Sequence, residues 1–298
     1  MIIFLPSIDD KHNGFLYLFY VWNKIEREQY NIEINFSQCK ELGHNAVAFL
    51  GGMVRTKINS GVKVVLRWDT LKTQVKRTLT QNKFFYAFNT NTKITPRISK
   101  NCIPYREDAK QDAEAYVKYL KDLWLGRGWV HVSELLRDDI VGKIYEIYIN
   151  AFDHGDSGVG VISCGYMDKT TRSLKLTLVD FGVGIPYNVR KFKGDDNIKA
   201  SSALKWAFQR GASTSNDGRG LGLDILKSFI KLNKGLLEIY SHDAYAKISS
   251  DDEVFKKTRG FFQGTVVNIT LQCDEDESYY CLKSEIKGDH PLFVFEGG

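Results

Sequence analysis

No cysteine in this chain stands at a metal-binding or redox spacing. The five, Cys39, Cys102, Cys164, Cys273 and Cys281, form no CxxC and are odd in number. That excludes a disulfide scaffold and fits reduced thiols in a cytoplasm. The six histidines also lack metal-ligand spacing. Long apolar runs are missing: the longest early one, Phe15 to Trp22, is too short to span a bilayer. The start, Met1-Ile2-Ile3-Phe4-Leu5-Pro6, has neither the basic region nor the cleavage site of a signal peptide. Excess charge of one sign is absent too. The net +5 is mild and diffuse, which argues against a nucleic-acid partner. There is no internal repeat and no low-complexity tract.

What is present is an ordinary globular composition, 43% apolar and 26% charged over 298 residues. Such a length favours two domains, each able to bury a core. Residues 1–90 alternate strand-like and helix-like patterns. Asn31 to Phe36 alternates at period 2, Asn45 to Asn59 carries one apolar helical face, and Gly61 precedes a β-branched run from Val62 to Leu66. The polar, proline-bearing stretch 89–108 reads as a linker. Beyond it, helices are predicted over Asp112–Trp124, Val132–Asp153 (with Ser133 as N-cap), Ser201–Arg210 and Leu221–Leu232. Strands are predicted over Val159–Tyr166, Leu174–Val179, Leu236–Tyr240 and Thr265–Leu271. That order reads as an α+β two-layer sandwich with a mixed sheet and helices on one face. Residues 273–298 read as a poorly packed tail.

Three blocks within 108–272 carry chemistry. In the first, Glu146 and Asn150 lie four apart on one helix, with Asp153 and His154 close to the same face. An amide oxygen at Asn150 can hold Mg²⁺ between phosphates, and a carboxylate at Glu146 can deprotonate a water or hydroxyl attacking a γ-phosphate. The second block is Asp180-Phe181-Gly182-Val183-Gly184. A carboxylate at Asp180 can accept from an adenine amino group, and Gly182 and Gly184 let the base approach the backbone. The third is Gly218-Arg219-Gly220-Leu221-Gly222, at a helix start whose free amides suit phosphate oxygens, with Arg219 able to neutralise their charge.

Together, in this order, the blocks resemble the N, G1 and G2 boxes of the GHKL ATPases, the Bergerat-fold group of gyrase, heat-shock chaperone ATPases, histidine kinases and MutL. The N-A-x-x-H-G form of the first box is closest to the bacterial anti-sigma-factor serine kinases. The resemblance implies an ATP lid at about 186–217 and a role for Thr265 beside the adenine-reading aspartate. It also implies ATP and Mg²⁺ as cofactors. His131 stands too near Glu146 for a histidine-kinase hairpin, and the span after the last strand is too short for the transducer domain of MutL or gyrase. The N-terminal part resembles STAS domains through Ile34 to Ser37, the helix 45–59 and Gly61 to Val65. The phosphorylated turn of that family reads Gly43-His44-Asn45-Ala46 here, without a hydroxyl, so a docking surface is expected rather than a phosphate acceptor. Ser37 is expected to cap its turn. The expected protein is a cytoplasmic ATP-binding regulator that hydrolyses Mg·ATP slowly to switch a partner-binding surface, in the STAS-like domain or the lid. A protein serine/threonine kinase and a non-catalytic ATP sensor are the alternatives, and a homodimer is compatible with each.

Overall fold

The computed structural model describes residues 1–89, 99–153, 155–209, 212, 223–274, 278–280 and 292–294. The chain begins with a parallel three-stranded sheet, β1 (Ile2–Phe4), β2 (Ile32–Asn35) and β3 (Val64–Arg67), in that spatial order. Its crossovers are α1 (His12–Ile25) and α2 (His44–Asn59), followed by α3 (Thr73–Gln81) and the short α4 (Phe84–Phe88). The alternation at 31–36 and the apolar face of 45–59 thus become β2 and α2. The turn at Phe36–Ser37 is closed by Asn35, whose Oδ1 accepts from the Ser37 amide at 2.9 Å, so Asn35 rather than Ser37 is the capping residue.

The second sheet has the order β4-β6-β7-β9-β8: β4 (Cys102–Asp108), β6 (Val161–Asp168), β7 (Ser173–Asp180), β8 (Leu236–Ser249) and β9 (Glu253–Gln272). Every neighbouring pair is antiparallel, which corrects the mixed sheet read from the sequence. Residues 102–108, read as the end of a linker, form an edge strand. Pro104 hides it in the sequence. An edge strand tolerates a proline, and the register shifts between Ile103 and Arg106. β8 and β9 run well beyond their apolar segments. Register shifts around His242, which takes φ 55, break the period-2 pattern there.

Against one face of this sheet lie α5 (Ala113–Tyr119), α6 (Glu134–Asp153), α7 (Gly184–Lys193), α8 (Ala200–Ala207) and α9 (Leu223–Leu232). Ser133 caps α6, its Oγ accepting from the Leu136 amide at 3.3 Å. The inner core takes alternate strand residues, Leu174, Leu176 and Leu178 of β7 and Val267, Ile269 and Leu271 of β9.

The opposite face is covered as well, a second correction to the expected sandwich. α1 packs on β9, and α2 on β6 and β7. Phe19, Phe49 and Trp22 from the N-terminal half share one core with Ile162, Val179, Phe262 and Val266 of the sheet. Each such buried side chain contributes roughly 1.5–3 kcal/mol, so the two halves are built around common packing. The turn before α2 therefore is not exposed. The His44 ring lies 4.8 Å from that of Tyr166 on β6. Two segments of the expected tail form strands: β10 (Ser278–Tyr280) joins β5 (His131–Val132) and β11 (Leu292–Val294) in a parallel sheet. Tyr279 is buried there against Phe229.

Candidate nucleotide site

A slot opens between α6, α7 and the inner face of the sheet. Its apolar walls are Ile147 and Ala151 of α6, Leu178 of β7, Ile185 and Val189 of α7, and Val267 of β9. Its polar groups are Asn150, Asp180, Asn188 and Thr265, with Gly155 and Gly184 supplying backbone at the rim. The space within it is about 60 Å³, below the roughly 300 Å³ at which ligand sites begin. A ligand of nucleotide size would therefore need one of the slot's walls to move.

Asp180 is the electrostatic centre of the slot. It ends β7, is only 9% exposed, and sits directly across the ladder from Thr265. Its Oδ1 accepts from the Gly182 amide at 3.0 Å, and the Thr265 hydroxyl and amide also bond its carboxylate. Burial outweighs these bonds and pushes its pKa up to about 6.

The turn after Asp180 is held from three sides. A Cβ on Gly182 would collide with the Gly155 carbonyl, and that same carbonyl accepts from the Val183 amide at 2.7 Å. The end of α6 and the end of β7 are thereby clamped together. Gly184 takes φ 78, and a Cβ there would meet the Gln263 carbonyl, so glycine is required on both counts. Two residues that sequence reasoning missed complete the turn. Ser241 Oγ accepts from the Ile185 amide at 3.1 Å and donates to the Gly264 carbonyl at 2.9 Å. His242 Nε2 donates to the Val183 carbonyl at 2.8 Å, and burial lowers its pKa, which keeps the ring neutral. Both lie at the register shift of β8, outside any recognisable spacing.

The sequence-derived residues divide into three groups. Asn150, Asp180, Gly184 and Thr265 line the slot together, and Gly182 packs directly behind it. Glu146 lies one turn before Asn150 on α6 but is not in the lining, and its Oε1 is bound by Lys143 Nζ at 2.8 Å. Asp153 is exposed at the end of α6. His154, Gly218, Arg219, Gly220, Leu221 and Gly222 lie outside the described residues. The stretch 186–217 contains most of α7 and all of α8, and the remainder of it from 210 is described only at Ala212.

Among the described residues no cluster of three or more His, Cys, Asp or Glu side chains is placed to hold a metal. A magnesium ion bridging phosphates keeps several waters and needs only one or two protein oxygens. The Asn150 amide at the slot's edge meets that requirement, so the donor set fits Mg²⁺ delivered with a nucleotide and does not fit a free ion. No family model matches this chain, and no curated protein matches it.

Proposed function

We propose that the slot binds the adenine end of Mg·ATP and that occupancy switches a surface offered to a protein partner, slow hydrolysis resetting it. One observation carries the reading. A buried carboxylate, Asp180, stands among largely apolar walls, with Asn150 lining the same slot from a helix. A flat apolar base with an exocyclic amine suits such a slot: its rings match the apolar walls, and its amine adds a donor to the lone pairs that the Gly182 and Thr265 bonds leave on the carboxylate. In this reading the Thr265 hydroxyl orients Asp180, and Gly182 and Gly184 hold the turn close to the base. Asn150 would hold the magnesium ion, which supplies charge neutralisation between phosphates. Glu146 would take a proton from the attacking water once released from Lys143.

α7 connects the slot to the outside. It presents Ile185, Asn188 and Val189 inward, while Tyr187 and Phe192 are exposed. Parting α7 from the sheet would change the surface those two rings present. A partner recognising α7 and α8 would therefore distinguish the loaded from the empty form.

Calorimetric titration with Mg·ATP tests the binding step. A hydrogen bond to a buried charged group is worth roughly 1.5–3 kcal/mol. Asp180→Asn should thus weaken binding about tenfold or more, and Asn150→Ala should remove most of the magnesium dependence. Equal affinity in the wild type and both variants would exclude this slot as the site.

A further inference from the structure

The parallel sheet of the N-terminal half has one buried face. Right-handed crossovers put α1 and α2 on the same side of β1, β2 and β3, and Ile3, Ile32, Ile34 and Leu66 are buried in the core they share. The alternate residues point the other way and form two cross-strand rows, Ile2–Glu33–Val65 and Phe4–Asn35–Arg67. Toward β3 this second face is charged and paired, since Arg67 bonds Glu33 at 2.7 Å and Asp69 at 2.8 Å. Toward β1 it ends in hydrocarbon: Ile2 is 55% exposed, Phe4 46% and Met1 45%.

β1 is also an edge: among the described residues no strand pairs with its outer side. Its bonds to β2 come from alternate residues. The Met1 carbonyl accepts from the Glu33 amide at 2.8 Å, and the Leu5 amide donates to the Asn35 carbonyl at 2.9 Å. By the same alternation the N–H and C=O groups of Ile2 and Phe4 turn outward. Edges of this kind are commonly guarded by lysine, proline or a bulge. β3, at the other end of the sheet, ends in Arg67 and follows the exposed Lys63. Met1 to Leu5 contain no charged side chain and no proline. The Met1 amino group donates to the Asn31 carbonyl at 2.7 Å, so its charge is turned toward β2.

We infer that β1 pairs with β1 of a second copy of this chain, antiparallel about a two-fold axis, so that the two parallel sheets become one. The strand is self-complementary in one register. With Ile3 opposite Ile3 of the second copy, the N–H and C=O of Ile2 meet the C=O and N–H of Phe4 of the second copy. The axis repeats the exchange, and every outward group of Ile2 and Phe4 gains a partner. The same register sets the Ile2 side chain directly beside the Phe4 ring of the second copy, on the exposed face. An aromatic ring opposite a β-branched residue is a favourable cross-strand pair. Setting Phe4 opposite itself would instead bring Ile2 against Pro6, which has no N–H to give. The two-fold pairing consumes both bare edges and leaves the charged β3 edges outermost, so assembly stops at the dimer. It rests on the N-terminal sheet alone and does not depend on the nucleotide reading.

The test is sedimentation equilibrium of the full chain, purified with no extension before Met1. So short a contact belongs to the weak class of interfaces, and a reversible monomer–dimer equilibrium with Kd about 10–100 µM is expected. Ile2→Lys with Phe4→Lys sets like charges directly opposite each other across the axis and should weaken the dimer at least about tenfold. Ile2→Lys with Phe4→Glu sets each new lysine against a new glutamate of the other copy and should restore much of that loss. Both positions are exposed, and far-ultraviolet dichroism checks that the variants fold. Should either fail to, Phe4→Pro removes one outward N–H at an edge that tolerates proline, and it should also give monomer. A wild type that stays monomeric well above that Kd overturns the proposal, as does growth to species larger than a dimer. So does a dimer that survives the lysine pair, because another surface would then hold it. A lysine–glutamate variant no tighter than the lysine–lysine one overturns the register and with it the proposal.

Discussion

At the scale of the residue, Asp180 ties binding and stability to the same proton. Its pKa in the fold is about 6 against an ordinary value of 3.8. Between those values the unfolded chain releases a proton that the native chain keeps, so stability falls as pH rises through about 4 to 6. Two pKa units correspond to about 3 kcal/mol. Asp10, also raised to about 6 by burial, adds a slope of the same sign. Asp180→Asn should remove one of the two. Urea unfolding at the two ends of the window should find the variant gaining stability relative to wild type as pH rises, and a constant difference would mean the carboxyl is not desolvated. Nucleotide binding should run the other way: affinity should weaken as pH drops through about 6, since the ionised carboxylate is the better acceptor for an amine. A second residue-scale expectation concerns Glu146. Glu146→Ala should leave Mg·ATP bound and slow phosphate release by roughly 10²–10⁴-fold, the size of a general-base contribution. Unchanged release would point to another base, and loss of binding to a structural role. That Asn150 and Asp180 share one slot was legible in the sequence, from helical spacing and from a strand-ending carboxylate. The Lys143–Glu146 pair was not, since i,i+3 charges on a helix are too common to stand out.

At the scale of the element, Phe181 links the slot to the N-terminal half. It lies between Asp180 and Gly182, and its ring is 5.0 Å from Trp22, 5.1 Å from Phe49 and 5.0 Å from Phe262. Gly52 of α2 makes room for it, and a Cβ at that position would fall on the edge of the ring. Gly52→Ala should therefore push Phe181 and drag the turn that carries Asp180. Overpacking of this kind costs about 1–3 kcal/mol. Mg·ATP affinity should fall severalfold although Gly52 lies on the far side of the sheet from the slot. Wild-type affinity in a destabilised variant would show that the ring moves without the turn. Helices such as α2 and α6 were readable in advance from their 3.6-residue apolar pattern. The outer lengths of β8 and β9 were not, because the positive φ of His242 and the shifts beside it interrupt alternation. β4 was masked by its proline.

At the scale of the whole molecule, the N-terminal half serves as one layer of the architecture. Without it, the ring of Phe262 and the side chains of Ile162, Val179 and Val266 would face water. Chemical denaturation followed by tryptophan emission and by far-ultraviolet dichroism should give coincident single transitions. Residues 99–298 expressed alone should be aggregated or lack a cooperative transition. Two separated transitions, or a soluble, cooperatively folding fragment, would contradict the shared core. The alternating elements of residues 1–90 were visible in the sequence. Their seating on the second sheet was not, since the apolar sides of α1 and α2 that meet the sheet look the same as sides that close a free-standing unit.

Asn23 of α1 donates to the carbonyl of Phe261, 238 positions later in the chain. A ribosome adding roughly 5–20 residues per second needs on the order of 10–50 s to cover that distance. For all of that interval the aromatic ridge of α1 and α2 has emerged and its covering strand has not been made. Contacts this distant also slow folding once synthesis ends. The nascent chain thus presents a sticky surface for tens of seconds, and the yield of active protein should depend on translation speed and on chaperones that bind exposed aromatic faces.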